Sequence, residues 1–119
     1  MNMSGNSSFF YSVASIPNTD YIVSGSGGIE KSIKIWNYKS GELLRTLNGH
    51  SADVYSVASI PNTYYIVSGS ADTTVKIWNY MNGELVNTLS GHNDIVRSVA
   101  SIANTNYIVS GSRDKTINI

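Results

Sequence analysis

Apolar and polar residues alternate in short runs along the whole chain, and no stretch of helical length keeps an apolar residue at every third or fourth place. The middle of the chain shows the pattern most clearly. VYSVASI (54–60) reads as a first strand, a. It is followed by the turn Pro61-Asn62-Thr63, in which Pro presets φ and Asn tolerates left-handed backbone, and by strand b at 64–68. Strand c spans 74–79. Met81-Asn82-Gly83 then offers a glycine for a bulged hairpin into strand d at 84–89, and Ser90-Gly91-His92 leads to the next strand a.

The same order recurs. YSVASIPNTDYIVSGS (11–26), YSVASIPNTYYIVSGS (55–70) and RSVASIANTNYIVSGS (97–112) are nearly identical, at offsets of 44 and then 42 residues. Two extra residues in the GGIEKS turn (27–32), against ADTT (71–74), account for the difference. A period near 42 built only from β segments predicts an all-β fold of β-propeller blades, each of four antiparallel strands. The chain is expected to hold the tail of a d strand (1–8), blade one (9–48), blade two (53–90) and an incomplete blade three (95–119), as about three blades in an open arc.

Composition narrows the function classes. Eight Lys and Arg balance eight Asp and Glu, so no long-range field draws a nucleic acid or an acidic membrane surface. The absence of cysteine removes disulfides, thiolate metal sites and cysteine nucleophiles. No run reaches the roughly 18 apolar residues of a membrane span, and the first residues lack a basic and then apolar leader. The expectation is a soluble chain of cytoplasmic location, without cofactor, nucleic-acid or membrane partner.

The residues around each tryptophan carry the identifying pattern. SGSADTTVKIWN (68–79) is preceded by Gly49-His50. SGSGGIEKSIKIWN (24–37) repeats it with a longer turn, and SGSRDKTINI (110–119) follows Gly91-His92. A Gly-His pair, then roughly thirty residues, then SGSxD and Trp with a small polar residue resembles the WD-repeat family, over almost the whole chain. Here the dipeptide is Trp36-Asn37 and Trp78-Asn79 in place of Trp-Asp. The resemblance implies a hydrogen-bonded group of His50, Ser68, Asp72 and Trp78, with Ser70 the lesser candidate hydroxyl. It implies His92, Ser110 and Asp114 in the third copy, and Ser24 with Trp36 in the first, where Asn6 and Glu30 stand at the His and Asp positions. Asp72→Ala is therefore expected to destabilise more than Asp114→Ala.

Three chemical readings of these residues fail on their own requirements. Ser, His and Asp suggest a hydrolytic triad, but they recur once per repeat beside a Trp and no repeat adds an oxyanion loop. His50 and His92 lack a convergent third metal ligand. SGSGG (24–28) would cradle phosphate only ahead of a helix, and a strand follows it.

Binding is then expected at loops on one end of the strands. Near-identical copies differ at Tyr11, Tyr55 and Arg97, where strand a begins, and at the b–c turn, which carries Arg113 and Lys115 in the third copy. The resemblance places both regions around the mouth of the central channel. The candidate peptide-binding residues are thus Tyr11, Tyr55, Arg97, Arg113 and Lys115, suited to an acidic or phosphorylated peptide. The expected role is a non-catalytic scaffold for protein–protein or protein–peptide interaction. The alternative is a regulatory or sensing segment of a larger enzyme whose catalytic domain lies outside this chain. Three blades do not close a ring, so the end faces, expected to expose strand residues such as Val57, Ile66, Val67 and Ile77, should favour self-association or further blades of a longer protein over a stable monomer.

Overall fold

The structure is a computed structural model, and it describes residues 9–27, 31–61, 63–90, 94–101, 108–112 and 117–118. Among the described residues eleven strands form three antiparallel sheets, laid side by side in a slab of 39 × 35 × 20 Å. The 20 Å dimension is about the length of one six-residue strand.

The first sheet runs in the order β1 (Phe9–Ser15), β2 (Tyr21–Gly27), β3 (Ile33–Asn37) and β4 (Leu43–Leu47). The second repeats it as β5 (Val54–Ser59), β6 (Tyr65–Ser70), β7 (Thr74–Asn79) and β8 (Glu84–Ser90). The third holds β9 (Val96–Ser101), β10 (Ile108–Ser112) and β11 (Ile117–Asn118). The first two are the four-stranded up-and-down blades expected from the period, and the third has three strands among the described residues.

The turn residues act as their chemistry demands. Asn18 takes a left-handed φ of 62°, while Thr19 donates its hydroxyl to the Ile16 carbonyl and accepts the Tyr21 amide. Thr63 makes the same pair of bonds with Ile60 and Tyr65. Gly41 and Gly83 sit at φ 77° and 78° in the c–d turns, conformations that cost an L side chain about 1–2 kcal/mol. The Asn after each Trp closes the same turns. Asn37 Oδ1 accepts the amides of Lys39 and Ser40, and Asn79 Oδ1 those of Met81 and Asn82. An aspartate oxygen would accept the same two bonds, which explains why Trp-Asn serves here.

Two expectations need correction. The strand predicted at 64–68 runs on as Tyr65–Ser70, because Gly69 pairs with Val75 on one side and Ser56 on the other. Val57, Ile66, Val67 and Ile77 do not form exposed end faces. Val57 and Ile66 are buried against the first sheet, Val67 is buried against the third, and the half-buried Ile77 packs beside it. The alternation of β6 sends Ile66 to one face and Val67 to the other, and a neighbouring sheet covers each. Burial falls away outward, so that β8 is exposed along its whole length.

Candidate functional site

Two constellations merit description, one buried and one exposed. The buried one joins the loop before β5 to the β6–β7 turn. His50 Nδ1 lies 2.8 Å from Asp72 Oδ2, His50 Nε2 lies 2.7 Å from Ser68 Oγ, and Trp78 Nε1 donates to the same Ser68 oxygen at 2.9 Å. The protons follow from the partners. An ionised carboxylate only accepts, so Nδ1 carries the imidazole hydrogen; Nε2 then accepts the Ser68 hydroxyl. Asp72 is held in turn by the Ser51 amide at 3.0 Å, the Thr74 amide at 3.0 Å and the Thr74 hydroxyl at 2.5 Å. Ser70, which donates to the Ala52 and Asp53 carbonyls and accepts the Asp72 amide, fixes the turn from below. Gly49 leaves room for the indole, since a Cβ there would stand 2.8 Å from Trp78 Cη2.

Burial is the main effect on His50 and holds its imidazole below the ordinary value of 6.5, with Lys76 adding to it against the pull of Asp72. Burial pushes Asp72 upward, but the hydrogen bonds from Thr74 and His50 outweigh it and leave the carboxyl below its ordinary 3.8. At neutral pH the pair is therefore a neutral imidazole hydrogen-bonded to a carboxylate.

The order Ser–His–Asp and its distances match those of a nucleophile activated by an oriented base. The surroundings do not suit that chemistry. Ser68 is fully buried, and its oxygen already accepts the indole proton. What the group can do is clasp. Each polar atom satisfies another where an orphan would cost about 1–3 kcal/mol.

In the first sheet Trp36 Nε1 donates to Ser24 Oγ at 3.0 Å, and Ser26 binds the Ser32 carbonyl across the longer turn. Asn6 and Glu30 lie outside the described residues, as do His92 and Asp114. Ser110 is buried in β10.

The exposed constellation crosses all three sheets. The register slips between Phe10 and Ser12 in β1, between Val54 and Ser56 in β5, and opposite the Gly111–Ser112 step in β9. The extra residues are Tyr11, Tyr55 and Arg97. A β-bulge turns its extra side chain out of the alternation, and here three successive bulges set theirs in a row. The Tyr11 and Tyr55 rings meet edge to face at 4.9 Å, and Arg97 Cζ stands 5.9 Å from the centre of the Tyr55 ring. Tyr11 donates its hydroxyl to Asp53 at 3.1 Å, and that carboxylate holds the phenol above its ordinary range. Arg113 and Lys115 lie outside the described residues.

The spacing of Val54 and Val57 carried a signal of this row that period-two reading passes over. Both are buried, yet they stand three apart, which requires one inserted residue between them. Among the described residues no group of three or more His, Asp or Glu is placed to hold a metal, and no helix is long and apolar enough to cross a membrane.

Comparison with known proteins agrees with the architecture. The family model for the WD domain, G-beta repeat, matches residues 1–37, 41–79 and 83–119. Among solved structures, the RRP9 WD40 repeats and U3-55K each superpose with a TM-score of 0.86 at 31% identity, over 96% of this chain. The chain spans 34% of the length of each. No curated protein sequence matches it.

Proposed function

The chain belongs to the WD-repeat family, whose blades generally serve as scaffolds for protein–protein interaction, and on that premise we propose that it is a non-catalytic module that holds an acidic or phosphorylated peptide along the row Tyr11, Tyr55 and Arg97. The contact of these three side chains across three sheets supports this reading. At this position the third repeat departs from the first two, with Arg97 in place of tyrosine, and a rigid β scaffold presents the three side chains together.

The chemistry of the row suits such a ligand. Two aromatic rings offer apolar contact with few rotatable bonds, and the exposed Arg97 offers a planar fork to a carboxylate or phosphate. The zero net charge leaves binding to this local group and gives no general affinity for polyanions. The buried clasp supports the non-catalytic part, since the serine that a hydrolase would need open is enclosed.

Fluorescence anisotropy with a phosphoserine peptide, its unphosphorylated form and a polyanion control tests the reading. Saturable binding of the phosphopeptide, weakened about tenfold or more by Arg97→Ala and by Tyr55→Ala, is expected. Equal affinity of the wild type and Arg97→Ala for the phosphopeptide would refute it.

A further inference from the structure

The first two sheets leave an open cleft between their a–b turns, at the opposite ends of the strands from the tyrosine–arginine row. Its volume is about 350 Å³, at the small end of the range of ligand sites. Its walls are Pro17, Asn18 and Thr19 of the β1–β2 turn, with Thr63, Tyr64 and Tyr80 from the turns of the second sheet. The cleft lies between two four-stranded sheets and is independent of what adjoins the array on either side.

Two tyrosines of this cleft are out of balance with the fold. Tyr80 is 3% exposed, and its ring stands edge to face between Tyr21 at 6.5 Å and Tyr64 at 6.1 Å. Its amide donates to the Tyr64 carbonyl at 2.9 Å, which ties the two residues together. Its hydroxyl makes no hydrogen bond among the described residues, whereas a buried tyrosine usually finds a partner. Tyr64 is 61% exposed, at a place where the first and third repeats carry Asp20 and Asn106. The turn thus accepts small polar residues there, and its geometry does not call for an aromatic ring.

We infer that this cleft binds an uncharged, proline-rich segment of a partner protein in the polyproline II conformation. No charged side chain lines it. The Thr19 and Thr63 hydroxyls are both spent, each donating to a carbonyl and accepting an amide within its own turn. The groups left over among the described residues are the Tyr80 hydroxyl and the amide of the exposed Asn18, and both can donate. A proline segment matches that set, because its residues offer carbonyls and no N–H. Tyr64, Tyr80 and Pro17 supply the ring surfaces on which such segments dock. The segment is extended before it binds, so few dihedral angles are ordered on docking. A sugar, with many hydroxyls that both donate and accept, needs more free partners than these two. This inference is independent of the peptide row.

Fluorescence anisotropy of a labelled decaproline peptide with the 119-residue chain tests this, beside a control peptide in which alternate prolines are alanine. Saturable binding of decaproline is expected, with weaker binding of the control. Tyr64→Asp installs the residue that the first repeat carries, so it should keep the far-UV circular dichroism of the wild type while weakening decaproline about tenfold or more. Tyr80→Phe keeps the ring and removes only the hydroxyl, and should weaken it about threefold to tenfold. The inference is overturned by a lack of saturable binding, by equal affinity for the two peptides, by equal affinity of the wild type and either variant, or by displacement of the peptide with maltohexaose. Binding lost in Tyr55→Ala instead would place the peptide on the row and overturn it as well.

Discussion

His50 and Asp72 share one hydrogen, held between Nδ1 and Oδ2 at 2.8 Å, and the arrangement stabilises the fold only while the imidazole stays neutral and the carboxylate charged. Both folded groups bind a proton less readily than their unfolded counterparts, so acid favours the unfolded chain at each. The contribution of His50 is complete above the unfolded value of 6.5 and is lost as pH falls through the folded value; that of Asp72 is complete above 3.8 and is lost below it. The melting temperature should be level above about pH 7 and fall on acidification, with the first decline reduced in His50→Gln. Melts followed by circular dichroism from about pH 8 to about pH 5 check this, and a melting temperature that rises on acidification would contradict it.

Removing the carboxylate costs more than weakening it. Asp72→Ala leaves the buried Nδ1 hydrogen of His50 without its acceptor and frees the Ser51 and Thr74 amides, a loss of about 3 kcal/mol. Asp72→Asn keeps an acceptor for Thr74 and can turn its amide toward the ring if the imidazole hydrogen moves to Nε2. It should cost about 1 kcal/mol. Urea denaturation measures both losses, and ¹⁵N spectra of the imidazole report the change of tautomer.

Thr73 holds a φ of 74°, unusual for a β-branched side chain, in the turn between β6 and β7. Thr73→Asn places there a residue that tolerates left-handed backbone and should stabilise the chain by about 1 kcal/mol. A higher urea midpoint at unchanged slope is the expected readout; a lower midpoint would show that the turn depends on the threonine itself.

Gly69→Ala forces a methyl to within 3 Å of Val96 and Val99 and should destabilise by about 1–3 kcal/mol. Val96→Ala should relieve part of that loss in the double variant. A double-mutant cycle without coupling would show that Gly69 and Val96 do not act through their contact.

Much of this fold can be read from spacing alone. The period near 42 residues, the Pro-Asn-Thr turns and the glycines before each strand d specify four-stranded blades, because each signal names a backbone geometry that few other residues supply. The residues His50, Ser68, Asp72 and Trp78 were approached through family resemblance, since 28 positions separate the first from the last and no local periodicity relates them. The predicted strand b ends at 68, one residue short of Gly69; the place of Gly69 inside a strand, under the valines of the next sheet, depends on packing between repeats. Val57, Ile66 and Val67 looked like end-face residues for the same reason. Their burial belongs to the middle position of the blade, and sequences so nearly alike do not mark position.

Val54 and Val57 of β5 pack over Gly25 of β2, and Val96 and Val99 of β9 pack over Gly69 of β6, and the likeness of these two joints has a bearing on how such an array changes through time. A copy of the second repeat inserted beside itself by unequal crossing-over meets its neighbours with the same valines, glycine and serine as before, whereas a copy of the first would bring Phe10 in place of a valine. Blade number can therefore drift by duplication of the second repeat without a compensating change at its joints. Recombination within a repeat has no such freedom, because it would part a knob from the strand that presents it.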